Sequence, residues 1–264
     1  MMQKLKYLFT PNARVSSSSF FKILVVELIF TIFLWNYNKS SHFPGPLEVL
    51  NAIPSLFQGG NFLNQLFTSF FLSLSAILFS VIISLSIAYL SRLPIGGPIS
   101  IVITKFRFAT YSGLVFIFCM MFPSGTLFKV FSLSFATIPW IVTACLSEFD
   151  KTENSKFIQL RTLGMSEWAI LREVIVLGKL DKVLEIIRQN YAMIWMMIAT
   201  VEAVYISEGG VGALLEMMRK YLSNLPSMMA IQLIVLCLSA GMDNIFKALI
   251  NIITPWANLS NEKK

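Results

Sequence analysis

Arg161-Thr162-Leu163-Gly164-Met165-Ser166-Glu167-Trp168 lies inside a polar island, Glu148 to Arg188, that separates two strongly apolar regions. A stretch with this much charge cannot lie in hydrocarbon, where charged and unsatisfied polar groups are costly, so it reads as a platform that a membrane protein presents to water. Its first part repeats Phe157, Leu160 and Leu163 at three-residue steps. Its second part starts with Ser166, a suitable N-cap, and Glu167, which suits the positive end of a helix, and continues with an apolar stripe of Trp168, Leu171, Val174 and Ile175. Gly164 between them can take the left-handed conformation of a tight helix end. The pattern predicts a cytoplasmic helix-turn-helix knob within a loop over 148–185, of the kind a partner protein grips.

Outward from this island the chain turns apolar: 56% of residues are hydrophobic and only 13% charged, and the mean hydropathy is +0.71. Such a balance excludes an ordinary soluble domain. Apolar segments at 20–35, 67–90, 108–122, 127–146, 186–206 and 228–253 predict an all-α, polytopic bundle of about six spans of roughly 20 residues each, a single domain over 1–264.

A net charge of +7 could point to nucleic acid, so the placement of the basic residues decides. Of the 21 Lys and Arg, all but Lys39, Lys129, Arg219 and Lys220 fall on one side of the predicted spans. Positive charge collects on the cytoplasmic side, which predicts cytoplasmic termini, a cytoplasmic knob, lipid as the surrounding partner and no nucleic acid. The first segment could pass for a secretory leader, but no small-x-small site follows Trp35, so it reads as an uncleaved span. Glu27 in its middle reads as a carboxyl bonded within the protein, since a mid-span charge costs about 3 kcal/mol on insertion scales.

Catalytic chemistry finds no support. Cys119, Cys145 and Cys237 are isolated in apolar segments, the single His42 has no ligand partners, and neither a phosphate loop nor a nucleophile triad is present. The sequence predicts no enzyme, metal or cofactor. Ser69, Ser73, Ala76, Ser80, Ser84 and Ala88 recur at three- and four-residue steps and predict one small-residue stripe along which other helices approach closely. Pro139 removes one helical hydrogen bond from its span. Ser207-Glu208-Gly209-Gly210-Val211-Gly212 ends the next, and 213–221 is helical in pattern but too short to cross, which places it on the outer surface or in a re-entrant position. Glu202 and Asp243 are carboxylates in or near spans and read as pathway or structural groups; Asp243 has Lys247 one turn on, an ion-pair spacing that favours a structural role.

The segment from Arg161 to Trp168, with Arg188, Trp195 and Glu202 beyond it, resembles the permease subunits of binding-protein-dependent ABC importers, most closely their nitrate, sulfonate and taurine branch. Pro44-Gly45-Pro46, Lys129 ten residues before Pro139, Gly210-Val211-Gly212, and Asp243 with Trp256 add single matches, so the resemblance spans about residues 40 to 256. Ile158-Gln159-Leu160 stands where the family has Glu-Ala-Ala, and Val176-Leu177 where it has Leu-Pro. The resemblance implies an inner-membrane protein with no bound cofactor of its own. It also implies three partners: a cytoplasmic ATP-binding subunit gripping Arg161, Thr162, Leu163, Gly164, Ser166 and Trp168, a second permease subunit in a homodimer, and an extracytoplasmic solute-binding protein. Small anionic or vitamin-like solutes belong to that branch. The alternative class is an ATP-independent secondary transporter or channel, which needs several intramembrane charges and matched broken helices. A membrane anchor for a larger complex is a third.

Overall fold

Ser69, Ser73, Ala76, Ser80, Ser84 and Ala88 are all fully buried, and the helix that carries them is one wall of the core. The computed structural model describes residues 16–37, 43–222 and 224–256; His42, Lys39 and the terminal Lys4, Lys6, Arg14, Lys263 and Lys264 lie outside the described residues. The described chain folds as helices α1 (Ser17–Tyr37), α2 (Pro46–Gln58), α3 (Asn61–Leu90), α4 (Gly96–Lys105), α5 (Tyr111–Met121), α6 (Gly125–Asp150), α7 (Asn154–Thr162), α8 (Glu167–Leu171), α9 (Leu180–Val204), α10 (Val211–Met217) and α11 (Leu225–Ile253), with no strand among the described residues.

Among the described residues four helices, α1, α3, α6 and α11, are long and apolar enough to cross a membrane. The protein is therefore an all-helical membrane protein. α4 and α5 supply a fifth crossing if taken as one span, but they meet at a bend of 107°. The span expected over 108–122 is thus the 11-residue α5, about 16 Å long against about 30 Å of hydrocarbon. A 3₁₀ turn at Phe106–Phe108 followed by extended Ala109 breaks the path before it. The segment expected over 186–206 falls in α9, a 25-residue helix whose length is ample but whose Asp181, Lys182, Glu185, Arg188 and Glu202 lower its hydropathy. Of these only Glu202 is buried, where α9 packs against α3 and α10; the other four lie in the first turns of α9, where Lys182 is exposed.

α3 and α6 form the most extensive helix pair, with α9 laid across both. Hydroxyls close the seam: Ser80 Oγ and Thr137 Oγ1 lie 2.7 Å apart, Ser134 Oγ donates to the Ala76 carbonyl at 3.1 Å, and Ser73 Oγ and Tyr191 OH lie 2.9 Å apart. Between helices in lipid, where burial of apolar surface drives little, close approach and such bonds supply the association. Phe128, Leu133, Ile141, Ile194 and Ile198 fill the space between them. A second cluster, Val49, Leu56, Phe62, Leu215, Ala230 and Ile231, ties α2 and α10 to α11. α1 packs on α2, its Trp35 Nε1 donates to the Pro44 carbonyl at 3.0 Å, and most of its apolar residues are exposed. Glu27 on it is exposed, so this chain does not bury that carboxyl as its sequence suggested.

Candidate functional site

The knob forms where the sequence places it. α7 ends in a complete Schellman turn: Gly164 adopts φ +74°, its N–H donates to the Arg161 carbonyl at 3.0 Å, and the Met165 N–H donates to the Leu160 carbonyl at 3.2 Å. Ser166 then caps α8, its Oγ accepting from the Ala169 N–H at 3.3 Å. Thr162 Oγ1 donates back to the Gln159 carbonyl, satisfying a terminal carbonyl of α7. Across the turn Arg161 grips Glu167 with two bonds, 2.6 and 2.9 Å long. Arg161 holds the Glu167 carboxyl below its usual range. All six predicted loop residues, Arg161, Thr162, Leu163, Gly164, Ser166 and Trp168, are brought to this one turn.

The apolar stripe differs from the expected one. Ile170, Val174 and Ile175 are the buried residues, while Trp168 is 68% exposed and Leu163 75%. After Leu171 the chain widens into a π turn over Arg172–Leu177, which changes the residue spacing that a 3.6-residue reading assumes. The outcome is a rigid turn, anchored through Phe157, Leu160, Met165 and Ile170, whose tip shows Leu163, Trp168 and Ile158 to solvent. Behind the tip a cleft of about 720 Å³ opens between Phe157, Trp168 and Ile170 on one side and Arg92, Phe149 and Asp150 on the other. Arg92 at the end of α3 donates to Asp150 at the end of α6 at 2.8 Å, joining the two core helices beneath the knob.

Glu202 lies at the opposite end of α9 and is fully buried. Ser69 Oγ donates to Oε1 at 2.6 Å and the Gly212 N–H to Oε2 at 2.8 Å. Ser69 Oγ in turn accepts the Val211 N–H at 2.8 Å, and Gln65 Oε1 accepts the Gly210 N–H. Lys129, 2% exposed, donates to the Gly209 carbonyl at 2.8 Å and is the cationic neighbour of Glu202. The carboxylate thus pins the Gly209–Gly212 turn, and with it α10, to α3 and α6. Glycine is required there: Gly209 and Gly210 have φ +73° and +109°, and a Cβ on Gly210 would overlap the Glu202 carboxyl. α10 is tucked closely against α9, since a Cβ on Gly212 would meet the Ala199 backbone.

Asp243 is not brought near Glu202. Nor does it pair with Lys247, as spacing on its own helix suggests; both its oxygens accept from Arg188 Nη1, at 2.5 and 2.6 Å. Arg188 is also held by Glu185. Arg188 faces α11 from α9, whereas Lys247 is exposed. The partnership of Lys129 and Gln65 with the glycine turn had no signal in the sequence, since it joins residues about 80 and 145 positions apart. No group of three or more His, Cys, Asp or Glu among the described residues could hold a metal ion. Compared with known proteins, the chain matches no family model and no curated protein.

Proposed function

We propose that this chain is the transmembrane subunit of an ABC-type importer: it forms part of the solute pathway and couples it to a separate ATPase through the turn around Gly164. In this reading the protein sits in the cell's inner membrane with both termini in the cytoplasm, a second permease subunit completes the pathway, an extracytoplasmic protein delivers solute, and ATP is hydrolysed on the ATP-binding subunit. The observation that carries it is the knob: a Schellman turn fixed to the core on one side, showing Leu163 and Trp168 on the other. An apolar tip on a rigid base suits a partner's groove, because little ordering cost remains on binding. Movement of the ATPases would tilt α7 and α8, and the Arg92–Asp150 link lies in line to pass that tilt to α3 and α6.

The alternative of an ATP-independent transporter draws nothing from Glu202, whose two oxygens are both occupied by protein donors. Gly164→Val tests the proposal. Nothing lies within 4 Å of a Cβ at Gly164, so the branch point itself fits and the positive φ sets the cost, about 1–2 kcal/mol. The expected result is a folded, inserted protein that loses co-purification of an ATP-binding subunit and ATP-dependent uptake together. Retention of both would refute the coupling role.

A further inference from the structure

α4 and α6 enclose a second groove, of about 450 Å³, lined by Thr104, Arg107, Thr143, Ser147, Asp150 and Lys151. Asp150 also borders the cleft behind the knob, so the groove lies at that end of α6. Charge is unbalanced there. Asp150 is taken by Arg92 and Glu148 by Lys151, whereas Lys105 and Arg107 meet no carboxylate among the described residues. The Arg107 guanidinium lies only over the ring of its neighbour Phe108, 4.8 Å from the centroid. Ser147 is exposed, and no described residue bonds its hydroxyl. Toward the middle of α6 the wall turns apolar. Thr143 and Ser147 follow Trp140 by three and seven residues and share its face, and Trp140 is 43% exposed, as are Val102, Phe106 and Phe108 in part on the α4 side. α5 packs along α6 through Phe118 on Phe131 and Phe135, so the 107° bend lays α4 across the bundle. α6 has 26 residues, about 39 Å against about 30 Å of hydrocarbon. Centred in a bilayer, it puts Ser147 at the hydrocarbon boundary, Lys151 in the headgroup layer and Trp140 in hydrocarbon.

We propose that this groove binds the headgroup of an anionic phospholipid, with an acyl chain running past Trp140. Its change from cationic to apolar along α6 decides the occupant. A free anion would use the charged half alone, whereas a phospholipid fills both. Arg107 offers forked donors to the phosphate, Ser147 a hydroxyl to a phosphate or glycerol oxygen, and Lys105 a further positive charge. Basic pockets between helices at a membrane surface hold anionic headgroups in this way. A zwitterionic headgroup carries its own cation and leaves the surplus charge unanswered. The bound lipid would fasten the bent α4 to α6 next to the Arg92–Asp150 link. This inference goes beyond the proposed function: it rests on α6 crossing the membrane and is independent of any ATPase.

The test uses the full chain, purified in detergent and stripped of lipid. Phosphatidylglycerol added back should raise the midpoint of thermal unfolding, and titrating that rise gives its affinity; phosphatidylcholine and inorganic phosphate should leave the midpoint where it was. Arg107→Gln should weaken the binding of phosphatidylglycerol roughly 5-fold, the effect of one basic residue beside an anionic surface. Lys156→Gln, the same change of charge on exposed α7 outside the groove, should leave it unaltered. Ser147→Ala removes neither a charge nor a bond within the chain, so the weaker binding expected of it reports a built headgroup site rather than diffuse attraction. At low lipid-to-protein ratio, phosphatidylglycerol brominated on its acyl chains should quench tryptophan emission, and Trp140→Phe should remove part of that quenching. The proposal is overturned if phosphatidylcholine stabilises the wild-type chain equally, if inorganic phosphate does, which would make this a site for a free anion, or if Arg107→Gln and Lys156→Gln weaken binding alike.

Discussion

Glu202 is a buried carboxyl whose two oxygens accept from Ser69 Oγ and the Gly212 N–H, bonds that tie three helices together. Its removal leaves Ser69, the Gly212 N–H and the Lys129 ammonium without their acceptor or counter-charge. Glu202→Leu should therefore destabilise the protein by about 3–5 kcal/mol, read as a lowered midpoint of thermal unfolding in detergent. Glu202→Gln keeps the shape and one acceptor; it should retain uptake and lose less stability. Abolished uptake in a fully stable Glu202→Gln protein would instead make the carboxylate a solute contact. Gly210→Ala should cost more than Gly113→Ala by about 1–3 kcal/mol, since only the former combines positive φ with a collision against Glu202. The same thermal measurement decides it.

At the scale of elements, the knob is held by the Arg161–Glu167 clamp as well as by its caps. The Glu167 carboxyl is held below its ordinary range by Arg161. A lowered folded-state pKa means the clamp's contribution is fully present above the unfolded pKa and is lost only as pH falls through the folded one. Between neutral and mildly acidic pH the turn should therefore keep its resistance to limited proteolysis, whereas Glu167→Gln should raise nicking at Leu163 at all these pH values. Nicking that rises steeply already between pH 7 and 6 would contradict this. The elements themselves were partly legible in sequence. The knob's turn, Ser166 cap and serine stripe follow from local rules that need only neighbouring residues, and each forms as expected. Trp168 faces outward because a π turn shifts the spacing, and α5 falls short of a span because a 3₁₀ turn interrupts an apolar run. Hydropathy registers neither. Partners such as Arg188 for Asp243, or Lys129 for the glycine turn, depend on which helices meet, and local spacing favoured the nearer lysine.

For the whole molecule, hydropathy identified a helical membrane bundle, and the structure supplies four long apolar helices, a bent α4–α5 pair and a polar central α9. The knob and the Glu202 knot lie at opposite ends of this core, since α6 begins beside the knot at Gly125 and ends beside the knob at Asp150. Under the proposed coupling, a signal between them would pass along α3, α6 and α9, the helices that join the two ends. The most direct measurement of the coupling role places a cysteine at the knob's tip: Leu163→Cys, cross-linked in native membranes, with the attached chain identified by mass spectrometry. An ATP-binding subunit captured from the cytoplasmic side is the predicted result; reaction of Leu163→Cys from outside intact cells, or no ATP-binding chain among the products, would contradict the account.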